Sequence, residues 1–373
     1  HDESKRQDCL RLWNNMAQRQ LYITGGIGSQ SSGEAFSSDY DLPNDTVYAE
    51  SCASIGLMMF ARRMLEMEGD SQYADVMERA LYNTVLGGMA LDGKHFFYVN
   101  PLEVHPKSLK FNHIYDHVKP IRQRWFGCAC CPPNIARVLT SIGHYLYTPR
   151  EDALYINIYA GNSMEVPVEN GTLRLRVSGN YPWQEQVTIA VESPQPVRHT
   201  LALRLPDWCI QPQIILNGEE VEQDIRKGYL HITREWQEGD TLNLTLPMPV
   251  RRVYGNPLVR HVAGKVAIQR GPLVYCLEQA DNGESLHNLW LPADAPFTTF
   301  EGNGLFRHKI LIQAPGYRYE QSNPEQQPLW HYDSAPAKRQ PQILTFIPWF
   351  SWANRGEGEM RIWVNEETSA IRR

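Results

Sequence analysis

The chain changes its hydrophobic period near residue 150, and this change limits its fold more than any other feature of the sequence. Before that point, apolar residues recur three and four positions apart, which is typical of amphipathic helices. Helices are predicted over residues 3–20 and Ser51–Glu68, and in two further segments that begin after Asp70 and after Pro133. The buried stripe of the last helix is expected to consist of Ile135, Val138, Leu139, Ile142, Tyr145 and Leu146. The aromatic segment His95–Pro101 is expected to be strand-like. After residue 150, apolar and polar residues alternate, as they do in half-buried strands. The sequence therefore predicts an all-α part followed by an all-β part.

The alternation after residue 150 predicts β-sandwich domains of the jelly-roll kind. The segments with the clearest alternation are 154–159, 172–177, 187–191, 200–205 and 241–246. Turn residues separate these segments, for example at Asn217-Gly218 and at Lys227-Gly228. Short strands with glycine turns between them are typical of sandwiches.

Three domains are expected from this division. Residues 1–149 form the helical domain, residues 150–265 form one β-sandwich, and residues 266–373 form a second. The tail of the last domain, near Leu344, is expected to return to a sheet or to the helical part.

Composition excludes two classes of function. The 373 residues carry a net charge of -6, and 42% are hydrophobic and 21% charged, as in ordinary globular proteins. No block of Lys or Arg suggests a nucleic-acid groove, and no apolar run approaches the ~20 residues that a membrane helix needs. We therefore expect neither nucleic acid nor membrane as a partner.

The seven cysteines are unevenly spread, with four of them close to two short motifs. A disulfide framework of a secreted protein would be spread more evenly, so free thiols and a cytoplasmic location are predicted. The chain opens without Met and runs directly into a predicted helix, so we expect it to be part of a longer protein.

Two motifs together supply the donors for a metal site. Cys128, Cys130 and Cys131 fall within four positions, and Tyr48-Ala-Glu-Ser-Cys52 adds a carboxylate and a thiol. One carboxylate and three thiols suit tetrahedral zinc. Glu50 and Cys52 would face the same way on an extended segment, whereas adjacent cysteines need a tight turn to converge. Cys128 remains a competing ligand on spacing alone.

Three interpretations of these cysteines stay open: a catalytic zinc site, a zinc ion that only holds the fold, and buried thiols without a metal. Carboxylate ligands are unusual in structural zinc sites, which favours the first. The helix predicted after Pro133 would place its positive N-terminal end beside Cys130 and Cys131, and this would favour a thiolate. Such a thiolate could attack the anomeric carbon of a sugar in a two-step retaining reaction.

Other polar residues give weaker signals. The segment Thr24–Gly33 is rich in glycine, but no strand precedes it, so it does not predict a dinucleotide site. Its glycines are expected to let the backbone pass close to a ligand. His105, His113 and His117 are spaced like neither a helical nor a strand site, so surface or substrate-rim positions are predicted for them.

Three motifs in this order resemble those of glycoside hydrolase family 127: Tyr48-Ala-Glu-Ser-Cys52, Phe97-Tyr-Val-Asn-Pro-Leu-Glu103 and Cys128-Ala-Cys-Cys-Pro-Pro-Asn134. The characterised members of this family include β-L-arabinofuranosidases, and the likeness covers essentially the whole chain. The resemblance implies an (α/α)6 barrel followed by β-sandwich domains. It also implies that residues 1–149 are the C-terminal part of that barrel.

The resemblance also implies roles for single residues. It implies a zinc ion held by Glu50, Cys52, Cys130 and Cys131. Of these, Cys130 matches the nucleophile, and Glu34 matches the general acid/base. Tyr98, together with Glu50, matches residues that contact the sugar.

We therefore predict a zinc-dependent retaining glycosidase that releases terminal β-L-arabinofuranose or a related furanose from a small oligosaccharide or arabinoside. The non-catalytic alternative is a carbohydrate-binding module held together by zinc. A third possibility is a thiol oxidoreductase that uses Cys130 and Cys131. A homodimer, or association with a missing N-terminal half, is expected to cover the inner helix faces, and the fragment alone is expected to be inactive.

Overall fold

The computed structural model of the chain describes residues 2–150, 153–168, 171–320, 330 and 338–367. Parts of the predicted C-terminal domain, residues 321–329, 331–337 and 368–373, lie outside the described residues. The helices are α1 (Glu3–Arg19), α2 (Ser51–Glu68), α3 (Ser71–Ala80), α4 (Pro106–Leu109), α5 (Cys131–Thr140), α6 (Gly143–Leu146) and α7 (Gln279–Asn282).

Local capping explains where the first helices begin and end, and it confirms their predicted bounds. Asp2 accepts a hydrogen bond from the backbone of Lys5 (3.3 Å) at the start of α1. Gly69 ends α2 with φ 63°, a left-handed conformation that glycine adopts without strain. Asp70 then accepts from the backbone of Gln72 (3.0 Å) and starts α3.

Helix α3 continues into a π-helical turn, Leu81–Val85. Asn83 lies in this turn and reaches the β part of the chain. Its side chain donates to the carbonyl oxygen of Pro272 (3.0 Å) and accepts from the backbone of Val274 (2.9 Å). The wider turn therefore carries a polar bridge from the helices to a strand.

The described part of the chain contains twenty-one strands, and all but the first of them follow helix α6. They are β1 (Glu103–Val104), β2 (Tyr147–Pro149), β3 (Leu154–Ile156), β4 (Asn162–Val168), β5 (Gly171–Gly179), β6 (Gln186–Val191), β7 (Val197–Arg204), β8 (Gln213–Leu216), β9 (Glu219–Glu220), β10 (Ile225–Arg226), β11 (Tyr229–Trp236), β12 (Thr241–Thr245), β13 (Val250–Val253), β14 (Lys265–Arg270), β15 (Leu273–Glu278), β16 (Leu289–Pro292), β17 (Thr298–Glu301), β18 (Ile310–Tyr319), β19 (Arg339–Pro348), β20 (Met360–Arg361) and β21 (Val364–Glu367).

The described strands pair into three sheets. A five-stranded sheet has the order β10-β11-β7-β3-β2, and a six-stranded sheet has the order β4-β5-β6-β12-β8-β9. In the third sheet, of ten strands, the pairing runs in a closed circuit through β14, β15, β19, β18, β16 and β21. Helices and extensive sheets thus both build the chain, as the change of period predicted.

Two hydrophobic cores join the helices to the sheets. The larger contains Met58 and Ala61 of α2 together with Leu201 of β7 and Ile268 of β14. The second joins residues of the first 120 positions, such as Phe97, to the ten-stranded sheet, and Phe97 stacks on Trp352 with ring centroids 4.9 Å apart. The loops that carry the candidate site therefore rest on buried apolar residues of the ten-stranded sheet.

Two local predictions are wrong. A continuous helix with a buried stripe was expected after Pro133, but α5 ends at Thr140, and Leu139 of that stripe is 38% exposed. The segment His95–Pro101 was expected to be strand-like, yet it makes only isolated bridges, among them the bridge of Val99 to Glu50. In the described part of the chain, every helix is too short or too polar to cross a lipid bilayer.

Candidate active site and metal centre

Glu50 and Cys52 converge because a helix begins between them. Glu50 is the N-cap of α2 in extended conformation, and Cys52 lies in the first turn. The prediction placed both on one extended segment. The structure reaches the same convergence through the change from extended to helical backbone.

A buried polar network fixes this helix start. The backbone of Ser51 donates to the carbonyl oxygen of Tyr98 (3.0 Å), and the Ser51 hydroxyl donates to that of Phe97 (3.0 Å). Asn100 donates to the carbonyl oxygen of Ala49 (2.9 Å) and to the Ser51 hydroxyl (3.0 Å). Ala49 has φ 38°, and such strain in a residue other than glycine persists only where the surroundings hold it.

Cys130 and Cys131 converge at the start of α5. Cys130 is the N-cap and has helical dihedral angles (φ -72°, ψ -32°), and Cys131 is the first helical residue. The helical turn brings the two sulfur atoms to 3.8 Å, which is the tight turn that the sequence required. Cys128 is exposed and is not one of the grouped donors, so it does not compete as a ligand.

The four predicted donors form one cluster. The ligand atoms of Glu50, Cys52, Cys130 and Cys131 all lie within 4.8 Å of one another. Sulfur atoms are separated by 3.6 Å (Cys52 to Cys131) and 3.8 Å (Cys130 to Cys131). Glu50 Oε1 is 3.2 Å from Cys130 Sγ and 3.9 Å from Cys131 Sγ.

These separations fit a tetrahedral cation. Sulfur ligands at about 2.3 Å and oxygen ligands at about 2.0 Å from a tetrahedral zinc ion lie about 3.8 Å (S to S) and about 3.5 Å (S to O) apart. The donor set, three soft thiols and one carboxylate, also suits zinc better than magnesium or calcium. The residues present therefore fit a zinc ion.

The thiols themselves need a cation to become anionic together. Contact with Cys131 lowers the pKa of Cys52. Burial raises the pKa of Cys130 to about 12, and contact with Cys52 raises that of Cys131 far above its usual range. One thiolate thus suppresses ionisation of the next. Asn134 supports the first thiolate, because its side-chain amide donates to Cys52 Sγ (3.1 Å).

Glu34 lies beside this cluster. It follows Gly33 and has φ 50°, an unusual conformation for a residue other than glycine. Tyr48 donates a hydrogen bond to Glu34 Oε1 (2.7 Å), and Tyr98 donates a longer one to the same atom (3.5 Å). Glu34 is exposed, and in the described part of the chain no hydrogen bond reaches its Oε2.

Tyr98 connects Glu34 to the cysteines. Cys130 Sγ lies 3.4 Å from the Tyr98 hydroxyl. The Tyr98 ring packs against Tyr48 (ring centroids 6.0 Å apart) and Phe126 (5.8 Å). Burial, followed by the contact with Cys130, raises the pKa of Tyr98 far above its usual range, so the phenol keeps its proton as a donor. One hydroxyl thus touches both predicted catalytic groups.

Two glycines of the segment Thr24–Gly33 pack closely against other parts of the protein. A Cβ on Gly25, which has φ 76°, would lie 2.5 Å from the Cα of Ala80 in α3. A Cβ on Gly26 would lie 3.0 Å from that of Ala49. These glycines let the segment lie close to the helices that carry the site.

The three histidines of residues 102–124 differ in position. His113 is exposed and pairs with Asp116 (3.3 Å). His117 Nε2 lies 3.1 Å from the carbonyl oxygen of Thr46, and its ring lies 6.1 Å from that of Tyr48, at the edge of the candidate site. His105 belongs to a second group of potential ligands away from the cysteines.

Three protein-family models together match most of the chain. Residues 1–144 match the model "Beta-L-arabinofuranosidase, GH127 catalytic domain". Residues 153–248 match the GH127 middle domain, and residues 250–365 match the glycoside hydrolase family 127 C-terminal domain. The chain belongs to glycoside hydrolase family 127. This confirms the family that the three motifs predicted.

Relatives of this GH127 chain are longer than the chain itself. It is 38% identical over 372 residues to the non-reducing end beta-L-arabinofuranosidase of Bifidobacterium longum subsp. longum, which covers 97% of the chain and 56% of that protein. The chain thus spans little more than half the length of this curated relative.

Two solved structures of similar proteins are also longer than this chain. A GH127 beta-L-arabinofuranosidase from Geobacillus stearothermophilus T6 is 48% identical, with a TM-score of 0.93 over 98% of this chain and 57% of the other. The GH127 beta-arabinofuranosidase BT3674 is 33% identical, with a TM-score of 0.85 over 95% of this chain and 55% of the other.

Sequence reasoning missed several residues of the site. Tyr48 stands in the quoted motif beside Glu50, yet nothing local indicates that it bonds to Glu34. Asn134 ends the cysteine motif, yet nothing local indicates that its side-chain amide donates to Cys52 Sγ. Asn100 is buried, and a buried amide needs partners, but its burial is visible only in the fold.

Proposed function

We propose that this GH127 chain carries the catalytic centre of a retaining glycoside hydrolase that releases terminal β-L-arabinofuranose. One observation carries the proposal: the Tyr98 hydroxyl lies 3.4 Å from Cys130 Sγ and 3.5 Å from Glu34 Oε1. A nucleophile and a carboxyl group thus lie on either side of one phenol, beside a cluster of metal donors. Retaining glycosidases need two such groups about 5–5.5 Å apart, and this arrangement permits that distance.

The cluster of Glu50, Cys52, Cys130 and Cys131 would hold a zinc ion in this proposal. A bound zinc ion deprotonates coordinated thiols, and so it supplies thiolates at neutral pH. Asn134 donates to Cys52 Sγ and positions that ligand (3.1 Å). Cys130 is partly exposed, whereas Cys131 is buried, and Cys130 Sγ lies beside the Tyr98 hydroxyl (3.4 Å), so we assign Cys130 as the sulfur that a substrate reaches.

In the first step, Cys130 Sγ attacks the anomeric carbon of the sugar. A carbon–sulfur bond forms while the bond from this carbon to the leaving oxygen breaks. Glu34 gives its proton to the leaving oxygen, so the aglycone departs as a neutral alcohol. The products of this step are a thioglycoside on Cys130 and an ionised Glu34.

In the second step, Glu34 removes a proton from water. The water oxygen attacks the anomeric carbon, the carbon–sulfur bond breaks, and the electron pair returns to Cys130. Glu34 is then protonated again for the next cycle. Two displacements at one carbon return the original configuration of the sugar.

Two tyrosines position Glu34 for both steps. Tyr48 and Tyr98 both bond to Oε1, which leaves Oε2 as the oxygen that carries the transferred proton. Tyr98 and Glu50 lie next to Cys130, so we assign them contacts with the bound sugar. The named relatives suggest β-L-arabinofuranose as this sugar, and a related furanose is the alternative.

We also retain three expectations as proposals. The helices of residues 1–146 form part of an (α/α)6 barrel, and the sheets form sandwich domains. A second copy of the chain, or a further segment of a longer protein, covers the exposed helix faces such as Leu12 (59% exposed). The protein works in the cytoplasm.

Hydrolysis of aryl β-L-arabinofuranosides by the full-length protein tests the proposal. Cys130→Ser should lower kcat by roughly 10³-fold or more, with the fold retained, because an alcohol cannot replace the thiolate. Cys128→Ser is the matched control, since Cys128 is exposed and lies outside the cluster. Unchanged turnover in Cys130→Ser would refute the mechanism. Lost folding together with lost sugar binding would favour the zinc-held binding module.

The role of Glu34 has its own signature. Glu34→Gln should lose roughly 10²- to 10⁴-fold in kcat with a poorly leaving alkoxide, since the proton donor is missing. With a nitrophenolate leaving group, the first step needs no acid, so the intermediate on Cys130 should accumulate as a burst. Equal losses for both leaving groups would contradict the assignment of Glu34 as the acid.

A further inference from the structure

A second group of potential metal ligands includes a residue of the segment that follows Tyr98. His105, His287 and Glu359 come from three separate segments, and one ligand atom of each lies within 4.8 Å of the others. None of them belongs to the cysteine cluster or contacts it in the described structure. Two imidazoles and one carboxylate in one place are a donor set for a metal ion.

Strand pairing brings two of these residues together. Strand β1 pairs antiparallel with β20, with Val104 opposite Met360. His105 follows Val104 and Glu359 precedes Met360, so the register places them opposite each other beyond the pair. His105 Nδ1 and Glu359 Oε1 lie 3.8 Å apart. This gap is too long for a direct hydrogen bond, and it is a few tenths of an ångström longer than the roughly 3.4 Å between a nitrogen and an oxygen ligand on one tetrahedral zinc ion.

The backbone holds Glu359 in place before any ion binds. The carboxylate is buried and accepts from the backbone of Ser285 (3.1 Å) and of Leu286 (2.8 Å). The backbone of Glu359 is paired with Gln279 through two hydrogen bonds of 2.9 Å. Rotation of this carboxylate is therefore restricted, which lowers the entropy lost on binding.

The same contacts deliver the third ligand. Ser285 has φ 61°, which turns the chain so that both amides point at Glu359. His287 follows two residues later, and its ring centroid lies 5.4 Å from that of His105. The carbonyl oxygen of His287 accepts from Asn365 (2.7 Å), which holds the short helical turn against β21.

The surrounding charges leave the group available. Arg361 is the nearest basic residue on β20, but it is engaged by the carbonyl oxygen of Trp363 (2.7 Å) and by Glu103 (3.7 Å). In the described part of the chain, Glu359 forms no ion pair with a Lys or Arg. His287 is exposed, so an ion can reach the group from solution.

We propose that His105, His287 and Glu359 form a second divalent-metal site, separate from the cysteine cluster. The ligand set selects a borderline transition metal such as zinc or cobalt over magnesium and calcium, which prefer oxygen ligands. Three protein ligands leave a coordination position open to water. A bound ion links the segment after Tyr98, through His105, to Glu359 beside β20 of the ten-stranded sheet. Binding of the ion therefore stabilises the segment that also carries Tyr98 of the candidate site.

Cobalt binding distinguishes this site from the cysteine cluster. Purified protein is titrated with Co²⁺ alone, and bound cobalt is counted after gel filtration. Thiolate ligands give an intense near-ultraviolet charge-transfer band, whereas imidazole and carboxylate do not. We expect two equivalents in the unmodified protein, and one equivalent with an undiminished thiolate band in His287→Gln and in His105→Gln.

His308→Ala is the matched control. His308 also faces a carboxylate, Glu301 (3.0 Å), but the described residues add no third ligand there. It should keep two equivalents. A single equivalent with an intact thiolate band in the unmodified protein, or two equivalents in both glutamine variants, would overturn the proposal. A single equivalent without a thiolate band in the unmodified protein would instead count against the zinc centre of the proposed function and leave this site intact.

Discussion

Two buried or half-buried acidic clusters join distant parts of this chain, and they obtain their positive charge in different ways. In the arginine cluster, Arg204 of β7 contacts Asp75 (2.5 Å) and Glu78 (2.6 Å) of α3, and Arg204 is fully buried. The cysteine cluster of Glu50, Cys52, Cys130 and Cys131 has acidic groups alone. In the described part of the chain, no Lys or Arg forms an ion pair with Glu50.

The difference separates a structural contact from a functional one. A guanidinium has a fixed charge and five donors, so Arg204 satisfies two carboxylates permanently. Tyr181 and Trp208 also donate to Glu78, which completes its surroundings. In the proposed function, the cysteine cluster takes its cation from solution. An exchangeable cation would leave one sulfur reactive, whereas a side chain in that place would only neutralise it.

Removing the internal cation should have the largest effect on stability. Arg204→Met leaves Asp75 and Glu78 buried without their partner, and breaking a buried ion pair from one side costs about 3–5 kcal/mol. Denaturant unfolding followed by tryptophan fluorescence measures this loss. Survival of the variant with unchanged stability would mean that the arginine cluster does not join α3 to the sheet.

A surface pair provides the control for this variant. Arg176 pairs with Glu192 (2.6 Å) between β5 and β6, where both side chains are largely exposed. Exposed ion pairs contribute only about 0–1 kcal/mol. Arg176→Met should therefore unfold at nearly the same denaturant concentration as the unmodified protein.

Withdrawal of the external cation should be the next largest effect. Zinc at a hundred times its Kd stabilises a folded protein by about 2.7 kcal/mol, so a chelator should lower Tm, and added zinc should restore it. Calorimetry in His287→Gln protein isolates the cysteine cluster from the second proposed site. The Arg204 contacts need no metal and should keep the metal-free protein folded.

Cys131→Ser tests whether the chelator acts at this cluster. Cys131 is fully buried among the donors, so its loss should abolish most of the response. Cys128→Ser should respond like the unmodified protein. A chelator effect of equal size in Cys131→Ser would assign the metal to another place.

Asn134 should tune the cluster without belonging to it. Its amide donates to Cys52 Sγ (3.1 Å), and loss of such supporting hydrogen bonds typically weakens metal affinity about 10- to 100-fold. Competition with a chromophoric chelator measures the zinc Kd of Asn134→Ala. Thr140→Ala, at the far end of α5, is the control and should bind zinc normally. An unchanged Kd in Asn134→Ala would mean that the amide does not support the ligand.

The sequence could predict what short stretches determine. The bounds of α1 and α2 follow from Asp2, Gly69 and the apolar spacing, because caps and periodicity act within a few residues. The four donors of the cysteine cluster were predicted as two adjacent pairs, since each pair lies at the start of one helix. The meeting of the two pairs was predicted from their donor chemistry, whereas the choice of Cys130 and Cys131 over Cys128 rested on the family resemblance.

What the sequence could not predict depends on contacts between distant segments. Arg204 and Asp75 are 129 positions apart, and neither residue type indicates burial. His105 was expected at the surface or at the substrate rim, and nothing in the sequence indicated its neighbours Glu359 and His287, because they lie in other segments. Leu139 fits an apolar stripe, but α5 ends one residue later, so the stripe loses its buried side.

The last expected effect concerns the protonation of the arginine cluster and depends on pH. Asp75 is buried and shares one guanidinium with Glu78. Burial raises the pKa of Asp75 to about 7, although the charge of Arg204 opposes this shift. Since the folded pKa exceeds the unfolded one, the folded protein binds the extra proton between about pH 4 and pH 7. The resulting stability is complete below pH 4 and is lost as the pH rises through 7, by at most about 1.4 kcal/mol per pH unit.

Comparison with Asp75→Asn isolates this proton. The amide cannot ionise, so the unfolding free energy of this variant should lack the decline between about pH 4 and pH 7, and the difference between the two proteins gives the contribution of Asp75. Taking the difference also cancels the thiols, whose metal binding weakens in acid in both proteins. Parallel curves would mean that Arg204 keeps both carboxylates ionised throughout. Both carboxylates of the arginine cluster would then be ionised beside Arg204, as the four donors of the cysteine cluster would be beside a bound cation.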